Sequence, residues 1–192
     1  AVEGLAHFVS RRALNLGGIG RAKLQELYDL EIVRNPVDLL DLRDRTSRVT
    51  IADNKISFEK IEEIEEGGIL ADLDGWGTLS AMNLLESVDR ARSTPLPLHR
   101  FIYALGIEGV GFATSETLAV TFGNFDAFWS AVQRLACKGK DDITECSDGK
   151  GEKLPESVFI EIPGVGGALV ESLRRFGADP RNVAVVDNLL EK

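Results

Sequence analysis

Four Gly-apolar-Gly triplets punctuate this chain: Gly18-Ile19-Gly20, Gly75-Trp76-Gly77, Gly109-Val110-Gly111 and Gly164-Val165-Gly166. Each follows an apolar segment and opens a helical pattern, as in "LNLGGIGRAKLQEL", "LADLDGWGTLSAMNLL", "YALGIEGVGFATSETLA" and "FIEIPGVGGALVESL". The fourth residue after each second glycine is apolar or small (Leu24, Ala81, Ser115, Val170), and the seventh is leucine each time (Leu27, Leu84, Leu118, Leu173). That spacing puts both positions on one helical face. The repeat predicts a mainly α fold of tandem helical hairpins. Packing them as two pairs buries apolar faces that one hairpin leaves uncovered.

Glycine has a physical use in such turns. A tight connection between helices needs backbone that tolerates positive φ or close approach, and glycine supplies both. The apolar residue between the glycines plugs the gap between the helices. Amides of the turn and of the next helix's first residues lack intrahelical acceptors and point outward at the positive end of the helix dipole. That combination suits a phosphate. One such turn is explained as well by an ordinary glycine helix cap. Four alike favour the phosphate, because a fold that needs only turns does not require the same triplet each time.

Charge bears on this directly. The net charge of −9, divided about evenly between the halves, excludes a basic glove that grips nucleic acid through displaced counterions. Backbone amides resolve the conflict, with salt-sensitive help from a few cations. The candidates are Arg11, Arg12, Arg21 and Lys23 near the first triplet, Arg90, Arg92 and Arg100 between the pairs, and Arg174 and Arg175 after the fourth. Each is equally readable as a solvated surface charge, and Trp76 as plain core. Cys137 and Cys146 have only His7 and His99 as further zinc-type donors, too few for a four-ligand site, and read as structural or incidental thiols. No apolar run approaches the roughly eighteen residues that span a bilayer, and the N-terminus lacks a signal-peptide pattern. A cytoplasmic, monomeric segment without membrane contact is expected. No Ser/His/Asp arrangement or metal-spaced carboxylate cluster is visible, so no catalytic or metal residue is assigned.

The stretches "HFVSRRALNLGGIG" (7–20), "GWGTLSAMNLLESV" (75–88), "RFIYALGIEGVG" (100–111) and "IPGVGGALVESLRRFGADPRN" (162–182) resemble, in that order, the helix-hairpin-helix domain of bacterial NAD-dependent DNA ligases. The stretches cover somewhat under half the chain, and their order extends the match from end to end. The resemblance implies a segment that follows a four-cysteine zinc module and precedes a BRCT domain, which agrees with the absent initiating Met. It implies sequence-independent binding of nicked double-stranded DNA through hairpin amides at all four triplets, with Arg11, Arg12, Arg21 and Lys23 assisting, during replication and repair. Partners would be the nicked duplex and the remaining ligase domains. NAD and a divalent metal (Mg) would serve the parent enzyme elsewhere, with zinc upstream and no cofactor in this segment. The family's Lys-x-Asp-Gly nucleophile is absent, since Asp148-Gly149 follows Cys146-Ser147. The segment is therefore expected to be inert alone, gripping and bending the duplex for the catalytic domain. A helix-hairpin-helix module of another repair or recombination protein and a helical protein-interaction domain are the alternatives.

Departures from the family are specific. Residues 43–66 form an insertion in which "RVTI" and "KISF" around Asp53-Asn54 predict a small β-hairpin near 48–58, followed by an acidic helix near 59–66. A second insertion, 137–157, reads as a flexible loop. Glu108 and Leu79 stand where the family favours basic residues, and Trp76 stands for Phe. The expected organisation is a first hairpin pair over 1–92, a proline-containing connector at 93–98 and a second pair over 99–192.

Overall fold

The computed structural model describes residues 2–46, 49–52, 55–58, 70–71, 73–137 and 155–192. Among these the chain is mainly helical and divides into two compact units, Ala1–Leu96 with Asn188–Lys192, and Pro97–Asp187.

The first unit contains α1 (Val2–Val9), α2 (Arg21–Asp29), α3 (Pro36–Leu40), α4 (Leu42–Thr46) and α5 (Thr78–Ser93). Leu24 and Leu27 of α2 and Ala81, Leu84 and Val88 of α5 are buried, so the 3.6-residue periodicity read from the sequence is the face turned to the core. Complete burial of a leucine contributes about 1.5–3 kcal/mol. Helix α2 ends where Glu31 takes a left-handed φ of +62°, a conformation usually left to glycine. Helix α3 begins in a capping box: the Asn35 side chain accepts from the Val37 and Asp38 amides, and Asp38 accepts from the Asn35 amide, with Pro36 at the first helical position. The buried Asp38 carboxylate also accepts from the Arg34 amide and from Arg45 Nη1, each at 2.7 Å. These donors compensate its loss of water. Arg43 binds Asp89 with both Nε and Nη2, joining α4 to α5.

Strands β1 (Val49–Ala52) and β2 (Lys55–Phe58) pair antiparallel, with Val49 opposite Phe58 and Ala52 opposite Lys55. This is the β-hairpin that the sequence alternation predicts, with two residues between the strands. The acidic helix expected near 59–66 lies outside the described residues.

The second unit contains α6 (Leu98–Ala104), α7 (Phe112–Phe122), α8 (Phe125–Cys137), α9 (Pro155–Ile160), α10 (Gly167–Ala178) and most of α11 (Pro180–Leu190). Ile102, Leu118, Phe128, Val132, Phe159 and Leu173 are fully buried at its centre. Helices α8 and α10 meet at Gly177, where an added Cβ would lie 2.8 Å from Val132 Cγ1 and 3.1 Å from the Val132 carbonyl oxygen. Only glycine permits that approach.

Two boundaries differ from expectation. Ser93 closes α5 and Leu98 opens α6, which shortens the connector to 94–97. Helix α8 continues to Cys137 and α9 starts at Pro155, because proline suits the first position of a helix. The rest of the predicted loop, with Cys146 and the Cys137 side chain, lies outside the described residues. Among the described residues no helix is long and apolar enough to cross a membrane.

Candidate nucleic-acid interface

The four triplets share one geometry. The first glycine is left-handed each time, with φ of +81° at Gly18, +73° at Gly75, +81° at Gly109 and +82° at Gly164. The residue after it is buried: Ile19, Trp76, Val110 and Val165 are all below 10% exposed, while the flanking glycines are exposed. In the last three turns the plug's own amide donates at 3.0 Å to a carbonyl three residues back, on Leu73, Ile107 or Ile162. The second glycine is extended and sits at the N-cap of α2, α5, α7 or α10. Its carbonyl accepts from the fourth residue on, at 3.0 Å for Leu24 and Ala81, 2.9 Å for Ser115 and 3.1 Å for Val170. No side chain caps any of these four helices.

The two glycines of each triplet have different reasons to be glycine. The first needs it, because an L side chain is strained at positive φ. The second has φ between −134° and −78°, which any residue adopts. A Cβ placed on Gly20, Gly77, Gly111 or Gly166 meets nothing within 4 Å. Serine, asparagine or aspartate would cap these helices better by a few tenths of a kcal/mol. Turn formation alone therefore does not account for glycine at the second position, contrary to the sequence argument that gave both glycines one role. Glycine there leaves open the space that a Cβ would fill beside the helix's first turn.

Within each unit the turns meet a neighbouring helix. Gly18 backs onto α5, where an added Cβ would lie 3.4 Å from the Leu84 amide nitrogen, and the Gly17 amide donates to Ser87 Oγ at 2.8 Å. Gly109 backs onto α10, where the corresponding atom would lie 3.3 Å from Leu169 Cδ1. The first turn thus packs on the helix that follows the second, and the third on the helix that follows the fourth. Besides the plug amide, turns three and four each engage one further amide internally: the Gly111 amide donates to the Gly109 carbonyl at 3.2 Å, and the Leu169 amide to the Gly166 carbonyl at 3.0 Å.

The candidate cations fare unequally. Arg11 and Arg12 are exposed in the turn after α1, Arg90 is exposed in the last turn of α5, and Arg100 is partly exposed on α6. Arg21, the first residue of α2, pairs with Glu3, and both are largely exposed. Lys23 Nζ sits 4.2 Å from the centroid of the Trp76 ring, whose Nε1 donates to Glu26 Oε2 at 2.8 Å. Arg92 reaches the Leu40 carbonyl at 3.4 Å and lies 3.9 Å from Asp44. Arg174 is held between Glu156 and Glu171, so its guanidinium ties α9 to α10. Arg175 pairs at 3.0 Å with the exposed Glu108, next to the third turn's first glycine. Leu79, in the first turn of α5, is 73% exposed.

The resolved pKa shifts lie away from the turns. Arg43 is raised, chiefly by its hydrogen bond to Asp89, and Asp179 is lowered, chiefly by side-chain and backbone donors of Arg181. Among the described residues no group of three or more His, Cys, Asp or Glu side chains stands where it would hold a metal ion.

No family model matches the chain. Along its whole length it is 33% identical to a DNA ligase of Nitrobacter winogradskyi, covering 23% of that protein. It is 30% identical to a DNA ligase of Zymomonas mobilis, covering 24% of it, and 32% identical to one of Sinorhizobium medicae, covering 23%. The chain thus spans about a quarter of the length of these relatives. The four turns and everything between them belong to a chain similar from end to end to one segment of proteins named DNA ligase.

Proposed function

We propose that the chain is the helix-hairpin-helix segment of a bacterial, cytoplasmic NAD-dependent DNA ligase, and that it grips nicked duplex DNA by seating backbone phosphates on the amides behind Gly20, Gly77, Gly111 and Gly166. The observation that carries this reading is the second glycine: exposed, in ordinary φ, with open space where a Cβ would stand, four times over. An uncapped helix N-terminus presents donors and a partial positive charge, and a phosphate is the ligand that uses both. The contact is indifferent to base sequence, as required of a protein that seals any nick. The full-length similarity to DNA ligases supports the assignment of the parent protein.

In this reading the segment performs no bond chemistry. Its binding energy positions the reacting ends, the 5′-phosphate and the 3′-hydroxyl, for catalytic residues elsewhere in the parent. NAD, magnesium and zinc belong to those other parts. The first two seats carry more of the grip than the last two, because turns three and four satisfy, besides the plug amide, one further amide at the second glycine or in the first helical turn, and the third has Glu108 beside it.

Fluorescence anisotropy with labelled nicked, intact and single-stranded DNA at several salt concentrations tests the proposal. Duplex binding that weakens with salt is expected. Absence of binding to any duplex at low salt would refute it and favour a protein-interaction domain, to which the charge of −9 is suited.

A further inference from the structure

We infer that Lys23, carried on α2 after the first turn, supplies the cation of the second phosphate seat. That seat is then a composite of α5 amides and an ammonium from another hairpin, an inference that rests on the phosphate-seat reading above. The first turn of α5 is Thr78-Leu79-Ser80, with no charged side chain and an outward Leu79. Yet Lys23 Nζ stands 4.2 Å from the ring centroid of Trp76, the plug between Gly75 and Gly77. An ammonium within about 6 Å of an indole face is attracted to it. The π face neutralises no charge, so the ammonium keeps its full charge for an anion. Arg21 and Arg175 differ in this respect, since each is already paired with a carboxylate.

The arrangement is directed by α2 itself. Lys23 and Glu26 lie three residues apart and share one helical face. Lys23 holds the ring by its face, while Glu26 Oε2 holds it by its edge through Nε1 at 2.8 Å. Ile19, Val110 and Val165 offer neither a π face nor a polar edge. Tryptophan at this one plug position is thereby explained: it orients a cation borrowed from the neighbouring hairpin.

A double-mutant cycle on duplex affinity tests the assignment, using Lys23→Gln, Gly77→Ser, Gly20→Ser and the two doubles that contain Lys23→Gln. Lys23→Gln is expected to weaken binding by about three- to tenfold and to lower the salt slope by about one, with Lys23→Arg retaining most of the affinity. The losses at Lys23 and Gly77 should be less than multiplicative, and those at Lys23 and Gly20 multiplicative, because groups that serve one phosphate couple and separate ones do not. Coupling to Gly20 in place of Gly77, or an unchanged salt slope in Lys23→Gln, would overturn the composite seat while leaving DNA binding intact. Failure of the unmodified chain to bind duplex would overturn both. Thermal midpoints of the single variants no more than a degree or two below the parent exclude a folding artefact. If the Lys23→Gln midpoint falls further, loss of Trp76 fluorescence change on duplex addition, measured in a Trp129→Phe background, is the deciding readout.

Discussion

Replacing Gly77 with serine separates what the fold needs from what the seat needs. Gly77 is extended at the N-cap of α5, and its missing Cβ faces open space, so serine enters without strain. The serine hydroxyl accepts from an amide of the first turn, worth a few tenths of a kcal/mol over glycine at an N-cap. Reduced freedom of the unfolded chain adds about 0.4–1 kcal/mol. The variant should therefore be more stable by about 0.6–1.4 kcal/mol, a rise of roughly 1–6 °C in melting temperature for a chain of this size. Its affinity for duplex should fall, because the side chain obstructs the phosphate and occupies one of its donors. A hydrogen bond to a charged group contributes about 1.5–3 kcal/mol, so a loss of roughly ten- to a hundredfold is expected. The salt slope should hardly change, since no cation is removed. Gly75→Ala is the counterpart: at φ +73° a side chain costs about 1–2 kcal/mol, and the melting temperature should drop. Circular dichroism melts and anisotropy titrations read both quantities. A Gly77→Ser protein that is destabilised yet binds duplex normally would refute the argument.

Three other expectations are open to direct measurement. Glu108→Lys should strengthen duplex binding and steepen its salt dependence, because it reverses the charge beside the third turn; weaker binding in anisotropy would contradict this. Gly177→Ala should destabilise by about 1–3 kcal/mol in chemical denaturation, since its Cβ would press on the Val132 side chain and carbonyl where α8 meets α10. The lowered pKa of Asp179 makes its contribution to stability complete above the unfolded carboxylate value of about 3.9; that contribution is lost as pH falls through the lower folded value. Melts of Asp179→Asn and the parent should accordingly differ at pH 6 and converge in strong acid.

Much of this was legible in the sequence because it is periodic. The leucine seven residues after each second glycine is fully buried in all four helices, and the plug residues are buried as expected. The β-hairpin followed from alternation over eight residues, a local signal that needs no tertiary information. The two glycine roles were not legible, because φ and the space above a Cα belong to the folded backbone. Gly177 escaped notice for a related reason: its necessity comes from Val132, forty-five residues away in sequence, and no local pattern marks it. The cations were the least readable group. Arg174 near the fourth triplet is held between two glutamates, and Lys23 lies on the plug of a different turn from the one it neighbours in sequence.

The central claim is that four open N-cap glycines are kept for a phosphate backbone. The most direct test compares the unmodified chain with a variant carrying serine at Gly20, Gly77, Gly111 and Gly166, by anisotropy with a nicked duplex at low salt. The account predicts salt-sensitive binding by the unmodified chain and its near-complete loss in a variant that is at least as helical and as heat-resistant. Equal affinity of the two proteins would contradict it.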